Sequence, residues 1–369
     1  MSAAESQSPE PAYVKVDRPE PIIRADAMEY VMFERRDVSE MSSFLMDFGF
    51  IPTNGGGEVS YFRGYGNSPW LVSIKPSSID RFVGFGVCVR EKADLDRLAS
   101  VTGERVEAAG GPGGGQRVRL TDPDGLVVDV VFGAVPVDRM PTRHTLASVN
   151  TPDLRTRINS GVRTPVEPSP IFRLGHVVLQ RPDFARAAEW YMRHIGLIPS
   201  DIQALADGQP AMGFFRLDRG AEPADHHSVA ILGGPANTML HVSFETFDIE
   251  SVGQGHQYLR ARGWTPYWGI GRHNLGSQIF DYWKDPVGDE WEHYADGDVF
   301  DANQPTGYHQ LTRGTLWAWG DDLPDSMRPS LRLEDIPQIH AAGGFGDMEL
   351  AKVTELMKAL LVKPRPWMS

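Results

Sequence analysis

The sequence predicts an α+β fold of two tandem modules, and three observations predict it. A stretch near the start recurs further on. Each copy reads as a strand, a helix and a closing glycine. The far end of each copy carries the same hairpin turn. The 369 residues leave room for about two or three domains. Hydrophobic residues make up 41% and charged residues 23%, which is ordinary for a folded chain and excludes a long disordered one.

Residues 1–24 are rich in Pro, Ser and Glu, with no apolar core and no basic start. A flexible segment is expected there, not a signal peptide. The first module is expected over 25–135. Its opening strand, Tyr30-Val-Met-Phe-Glu-Arg-Arg-Asp37, ends on an Asp suited to cap a helix. An amphipathic stretch follows and stops at Gly49. Phe82–Val89 and Glu91–Ser100 read as a second strand and helix. Val118–Asp129 reads as a hairpin about Asp122-Pro-Asp-Gly125, with Pro at the second turn position and Gly at the last. The run Gly110-Gly-Pro-Gly-Gly-Gly115 lacks a following Gly-Lys-Ser/Thr, so it reads as a flexible loop and not a phosphate cradle.

A Pro-rich linker is expected over 136–170 and the second module over 171–300. There His176-Val-Val-Leu-Gln-Arg-Pro-Asp183 repeats the opening strand, and the helix after it ends at Gly196. Met239–Thr246 and Ile249–Arg262 repeat the middle pair. Phe280–Glu292 repeats the hairpin about Asp285-Pro-Val-Gly288. The tail, 301–369, is rich in Trp and Pro. It is expected to supply a candidate lid and a last amphipathic helix near Asp347–Leu361.

Lys and Arg number 36 against 49 Asp and Glu, a net charge of −13. Such a chain repels phosphate backbones, which argues against a general nucleic-acid binder. Cys88, the sole cysteine, excludes an intrachain disulfide framework and any metal site built on several thiolates. No run of 18 apolar residues occurs, so no transmembrane helix is expected. These features together predict a soluble, cytoplasmic protein.

The repeat supplies its own control for function. His176, His241 and Glu292 fall at or near the ends of expected strands in the second half. Tyr30, Gly84 and Asp129 occupy the matching positions in the first. A lone strand His is more often structural, and a strand Glu can equally face water. The case rests on three such residues at corresponding ends of one repeated module. Two imidazoles and one carboxylate, with other positions open, suit non-haem Fe(II) that activates O2, and Mn(II) as well.

The segments Leu174-Gly-His176, Leu240-His241-Val-Ser-Phe and Gly271-Arg-His273-Asn-Leu, followed by Ile279-Phe-Asp-Tyr282-Trp-Lys-Asp285-Pro-Val-Gly-Asp-Glu-Trp-Glu292, carry a resemblance. The second half resembles the vicinal oxygen chelate superfamily, and within it the type I extradiol ring-cleaving dioxygenases. The resemblance covers about residues 25–300 and is strongest from 171 to 295. It implies paired βαβββ units forming a curved mixed sheet in each module, with the metal in the C-terminal one. It implies His176, His241 and Glu292 as ligands, and His227 as an acid/base group. The neighbouring His226 competes with His227 for that role, and the Val-Ala after Ser228 favours His227. It also implies that His273 and Tyr282 contact substrate oxygens or dioxygen. The substrate class is then a catechol, with O2 as co-substrate, and relatives often form homo-oligomers.

Trp268, Tyr267, Phe215 and Val178 are candidate pocket walls that would favour an apolar ring substituent. Arg272 and Arg313 stay open as anchors for a charged one. Three other readings compete: a hydroquinone-cleaving dioxygenase, a metal-dependent lyase or isomerase of the same superfamily, and a binding module without turnover. The last would leave His227, His273 and Tyr282 without work.

Overall fold

Each module is two βαβββ units laid side by side in one mixed sheet. In the computed structural model, which describes residues 12–142, 150–163, 165–324 and 350–361, the first module runs β1 (Ala27–Arg35), α1 (Val38–Phe48), β2 (Ile51–Thr53), β3 (Ser60–Arg63) and β4 (Val72–Pro76). The plan then repeats as β5 (Arg81–Cys88), α2 (Lys92–Thr102), β6 (Val106–Ala108), β7 (Gln116–Thr121) and β8 (Val127–Phe132). The sheet order is β2-β3-β4-β1-β5-β8-β7-β6.

The second module repeats this with β9 (Ile171–Arg181), α3 (Phe184–Ile195), β10 (Ile198–Ala204), β11 (Pro210–Arg216), the short β12 (Ala224–Asp225) and β13 (Val229–Gly233). It continues with β14 (Thr238–Thr246), α4 (Ile249–Arg262), β15 (Thr265–His273), β16 (Ile279–Lys284) and β17 (Glu290–Ala295). The strands β18 (Val299–Phe300), β19 (Gly307–Gln310) and β20 (Trp317–Gly320) follow, and the helix α5 (Leu350–Leu361) comes last.

The helix starts have the expected cause. Asp37 accepts a hydrogen bond from the Glu40 amide at 2.8 Å, and Asp183 accepts one from the Arg186 amide at 3.0 Å. Gly49 closes α1 at φ 124°, where a Cβ would stand 1.8 Å from the Ser169 carbonyl oxygen, so only glycine fits. In each turn the leading Asp accepts two backbone N–H groups: Asp122 from Asp124 and Leu126, and Asp285 from Val287 and Asp289.

The two sheets share one core. Phe44, Phe48 and Phe50 from the first module close around Trp291 and Phe244 from the second, with ring centroids 4.8–6.4 Å apart. Two buried ion pairs cross between the modules. Arg35 at the end of β1 reaches Asp285 at 3.0 Å, and Arg181 at the end of β9 reaches Asp122 at 3.0 Å. The repeat therefore dictates assembly too: each module's terminal Arg holds the other module's hairpin Asp.

Three expectations change. Residues 12–24 are not loose: Arg18 pairs with Asp218 at 2.7 Å, the Ile22 amide donates to the Arg193 carbonyl, and Ile23 is buried. The tail is not separate from the second module. Its strands β19 and β20 pair with β10 and β15 and extend that sheet to ten strands, β19-β10-β11-β13-β9-β14-β17-β16-β15-β20, so the module continues to Gly320. The glycine run at 110–115 is the turn between β6 and β7, tied by the Ala109 amide to Gly115 and by the Val135 amide to Gly113. The last helix starts at Leu350; positions 347–349 of the expected helix lie outside the described residues. No helix among the described residues is long and apolar enough to cross a membrane.

Candidate metal centre

Strand register places the three suspected ligands together. On β14, Ser243 stands opposite His176 of β9, and His241 lies two residues earlier on the same face. On β17, Glu292 stands beside Ser243. His176 Nε2 lies 3.0 Å from Glu292 Oε2, His241 Nε2 lies 3.4 Å from it, and the two imidazole nitrogens are 3.3 Å apart. Donors at ~2.0–2.2 Å from one ion stand roughly 3 Å apart at right angles, so this triangle fits a shared metal.

The environment of Glu292 supports the same conclusion. It is fully buried, yet neither carboxylate oxygen accepts a hydrogen bond. Burial alone would raise its carboxyl; the imidazoles of His176, His241 and His273 facing it bring it well below the ordinary range. A buried carboxylate without hydrogen bonds is costly unless a cation meets it. Burial also lowers His176, favouring the neutral imidazole that a metal needs. Among the described residues this is the one cluster of three such groups close enough to hold a metal ion.

The first module is the built-in comparison. The ladders pair Tyr30 with Gly86 and Gly86 with Asp129, as they pair His176 with Ser243 and Ser243 with Glu292. Tyr30 donates to Asp129 at 3.0 Å, Arg119 pairs with Asp129 at 2.8 Å, and Trp70 stacks on Tyr30 at 3.8 Å. Gly84 matches His241, and a Cβ there would stand 1.9 Å from the Val127 carbonyl oxygen. A phenol, an arginine and an indole fill the space that the second module leaves to a metal.

Trp70 lies two residues before Val72, which pairs with Val31; His227 lies two before Val229, which pairs with Val177. His227 is thus the counterpart of the filling indole, with its ring 4.2 Å from that of His176. Burial first, then neighbouring His176 and His226, hold its pKa well below the ordinary value. That favours the neutral imidazole for His227, at the edge of the centre. His226 turns away and meets Asp201 at 2.6 Å, which separates the roles of the two neighbours.

His273, at the end of β15, donates from Nδ1 to the Leu316 carbonyl at 2.8 Å, and its Nε2 accepts from the Tyr282 hydroxyl at 3.0 Å. Tyr282 stands opposite Glu292 in the ladder. Burial and then the Glu292 charge push its pKa far up, so it stays a donor. Nothing in the sequence signalled the Leu316 carbonyl, because its role depends on β20 folding back onto β15.

The pocket residues fare unevenly. Val178 lies two residues from His176 on the same face of β9, and Trp268 packs 5.5 Å from Tyr282 and 5.7 Å from His273. Tyr267 carries the Lys284 ammonium 3.9 Å over its ring. Phe215 is a correction. It packs with Phe184 in the core beneath α3, and its neighbour Phe214 is the ring beside His227, at 5.1 Å. Alternation along a strand sends adjacent residues to opposite faces, so the expectation was off by one. Arg272 is engaged by Asp296 at 2.7 Å and Arg313 by Asp322, so neither is an open anchor.

Residues 173–293 match the family model of the Glyoxalase/Bleomycin resistance protein/Dioxygenase superfamily. The chain is 33% identical over 208 residues to metapyrocatechase 2 of Cupriavidus necator, covering 55% of this chain and 60% of that protein. It is 23% identical to biphenyl-2,3-diol 1,2-dioxygenase of Pseudomonas sp. strain KKS102, covering 64% of this chain and 78% of that protein. The fold matches homoprotocatechuate 2,3-dioxygenase of Brevibacterium fuscum in complex with 3,4-dihydroxyphenylacetate, with a TM-score of 0.69 at 19% identity over 85% of this chain and 94% of that one. It also matches the Mn(II)-bound glyoxalase of Novosphingobium aromaticivorans, with a TM-score of 0.68 at 21% identity over 84% and 95%. These structural likenesses show a shared fold.

Proposed function

We propose, on the premise that this chain belongs to the vicinal oxygen chelate superfamily, that it is an extradiol dioxygenase that opens the ring of a catechol. The observation that carries the proposal is the triangle of His176 Nε2, His241 Nε2 and Glu292 Oε2 at 3.0–3.4 Å, with the buried His227 ring 4.2 Å from that of His176. Fe(II), held by His176, His241 and Glu292, would supply a low-charge redox centre for a catechol and O2.

The chain's own groups then have defined work. His227 takes a proton from a catechol hydroxyl and later returns one to the product side. Tyr282, kept protonated, and His273, fixed by Leu316, orient the oxygen atoms at the opposite edge. Val178, Trp268 and Phe214 surround the ring with apolar surface, while Arg272 and Arg313 are already paired. This supports an uncharged, apolar ring substituent.

The test is anaerobic reconstitution with Fe(II), then addition of catechol, 3- and 4-alkylcatechols, 2,3-dihydroxybiphenyl and 3,4-dihydroxyphenylacetate in air-saturated buffer. One O2 consumed per yellow 2-hydroxymuconic semialdehyde-type product is expected, with alkylcatechols ahead of the carboxylated substrate. No O2 uptake by protein holding one iron per chain would overturn the reading.

A further inference from the structure

Behind His227 lies a line of polar groups for which the ring cleavage above has no use. His226 Nδ1 is 3.0 Å from His227 Nδ1. His226 Nε2 is 2.6 Å from one oxygen of Asp201, and the other oxygen meets His309 Nε2 at 2.7 Å. His226 and His227 are buried, whereas the His309 side chain is 41% exposed. The line runs from the metal centre to the surface and draws on β10 for Asp201, the entry to β13 for the histidines and the tail strand β19 for His309. Phe214 and Phe300 flank His226 at 5.6 and 5.5 Å, and both histidines are buried.

The hydrogen-bond directions in this line are nearly forced. A carboxylate only accepts, so His226 donates to Asp201 from Nε2. The Nδ1 of a neutral His226 is then a lone pair, and His227 must donate to it from its own Nδ1. That leaves His227 Nε2 without a proton.

We propose that His226, Asp201 and His309 are positioning residues forming a proton relay that fixes the tautomer of His227 and stores the substrate's proton between the two halves of the reaction. This rests on reading His227 as the acid/base group. When His227 Nε2 takes a proton from the substrate hydroxyl, the proton on Nδ1 passes to His226 Nδ1. His226 is then an imidazolium beside the Asp201 carboxylate, and His227 is neutral with a proton on Nε2, ready to give it back. One proton crosses from substrate to His227 and one from His227 to His226. None passes on to Asp201, whose carboxylate with the His309 contact holds the charge in place, and no positive charge stays beside His176. The reverse transfer restores the starting state.

Nitrogen-15 NMR of the zinc-loaded, histidine-labelled full chain reads the tautomer, with the His227 signal identified by its loss in His227→Phe. The Nδ1–H form is expected in the native chain and in His226→Gln, whose amide oxygen can still accept. The Nε2–H form is expected in His226→Phe. One tautomer throughout, or Nε2–H in the native chain, would overturn the assignment.

Asp201→Asn keeps the shape and removes the counter-charge. In the Fe(II) enzyme it should lower kcat about 10- to 100-fold with a larger solvent isotope effect and little change in KM. Native turnover in Asp201→Asn beside an inactive His227→Phe would exclude proton storage. If the native protein turns over no catechol, the tautomer measurement still judges the relay, and it is the extradiol reading that falls.

Discussion

At the scale of single residues, the molecule tests its own centre by substitution within the repeat. Tyr30, Gly84, Asp129 and Trp70 stand where His176, His241, Glu292 and His227 stand, and that exchange replaces a closed polar cluster with three groups close enough to hold a metal ion. The clustering of His176, His241 and Glu292 was legible in the sequence because the repeat supplied an internal comparison. Phe214 was not, since both β11 neighbours are aromatic and composition does not reveal which faces in. His241→Ala should therefore reduce bound metal from about one ion per chain to near none, whereas His256→Ala should keep it, because His256 meets Asp281 and lies outside the donor triangle. His227→Phe should keep the metal and lose turnover by roughly 10²- to 10⁴-fold. Metal analysis and O2 uptake on the same preparations check all three, and equal metal in the two alanine variants would refute the ligand set.

At the scale of elements, the strand–helix–glycine pattern and the Asp-Pro-x-Gly turns were readable because cap and turn chemistry is local. The tail was not, because the partners of β19 and β20 lie roughly 50 or more residues away, and nothing local in Leu316-Trp-Ala-Trp319 announces pairing with β15. The consequence is functional. Besides the His273–Leu316 contact, Asn274 donates to the Gly314 carbonyl at 2.7 Å and to the Trp317 carbonyl at 3.2 Å. A chain stopped after Thr312 keeps β19 and the three metal ligands but loses β20. It should bind metal normally, lose at least about tenfold in kcat as His273 is released, and aggregate more readily through the bare edge of β15. Metal content, turnover and light scattering read these three effects. Undiminished kcat would show that β20 does not position His273.

At the scale of the whole molecule, the first module is a structural half of the one that holds His176, His241 and Glu292. Its Phe44 and Phe48 pack on Trp291, one residue from Glu292, and the Phe48 carbonyl accepts a hydrogen bond from His293 at 2.7 Å. The crossed pairs Arg35–Asp285 and Arg181–Asp122 had a readable trace: the two arginines and the two aspartates each recur at matching places in the repeat. That the pairs exchange between modules becomes visible only in three dimensions, 250 residues apart for Arg35 and Asp285. Arg35→Met removes one partner of a pair whose side chains are at most 1% exposed and leaves Asp285 buried without its cation. Such a break costs about 3–5 kcal/mol. The exposed Arg36→Met should cost under about 1 kcal/mol. Because the modules share one core, the loss should appear in a single urea transition that carries the second module's tryptophan signal and the bound metal together. Two separate transitions, with the metal-bearing one unmoved by Arg35→Met, would mean that the silent half is only tethered to the active half and does not support it.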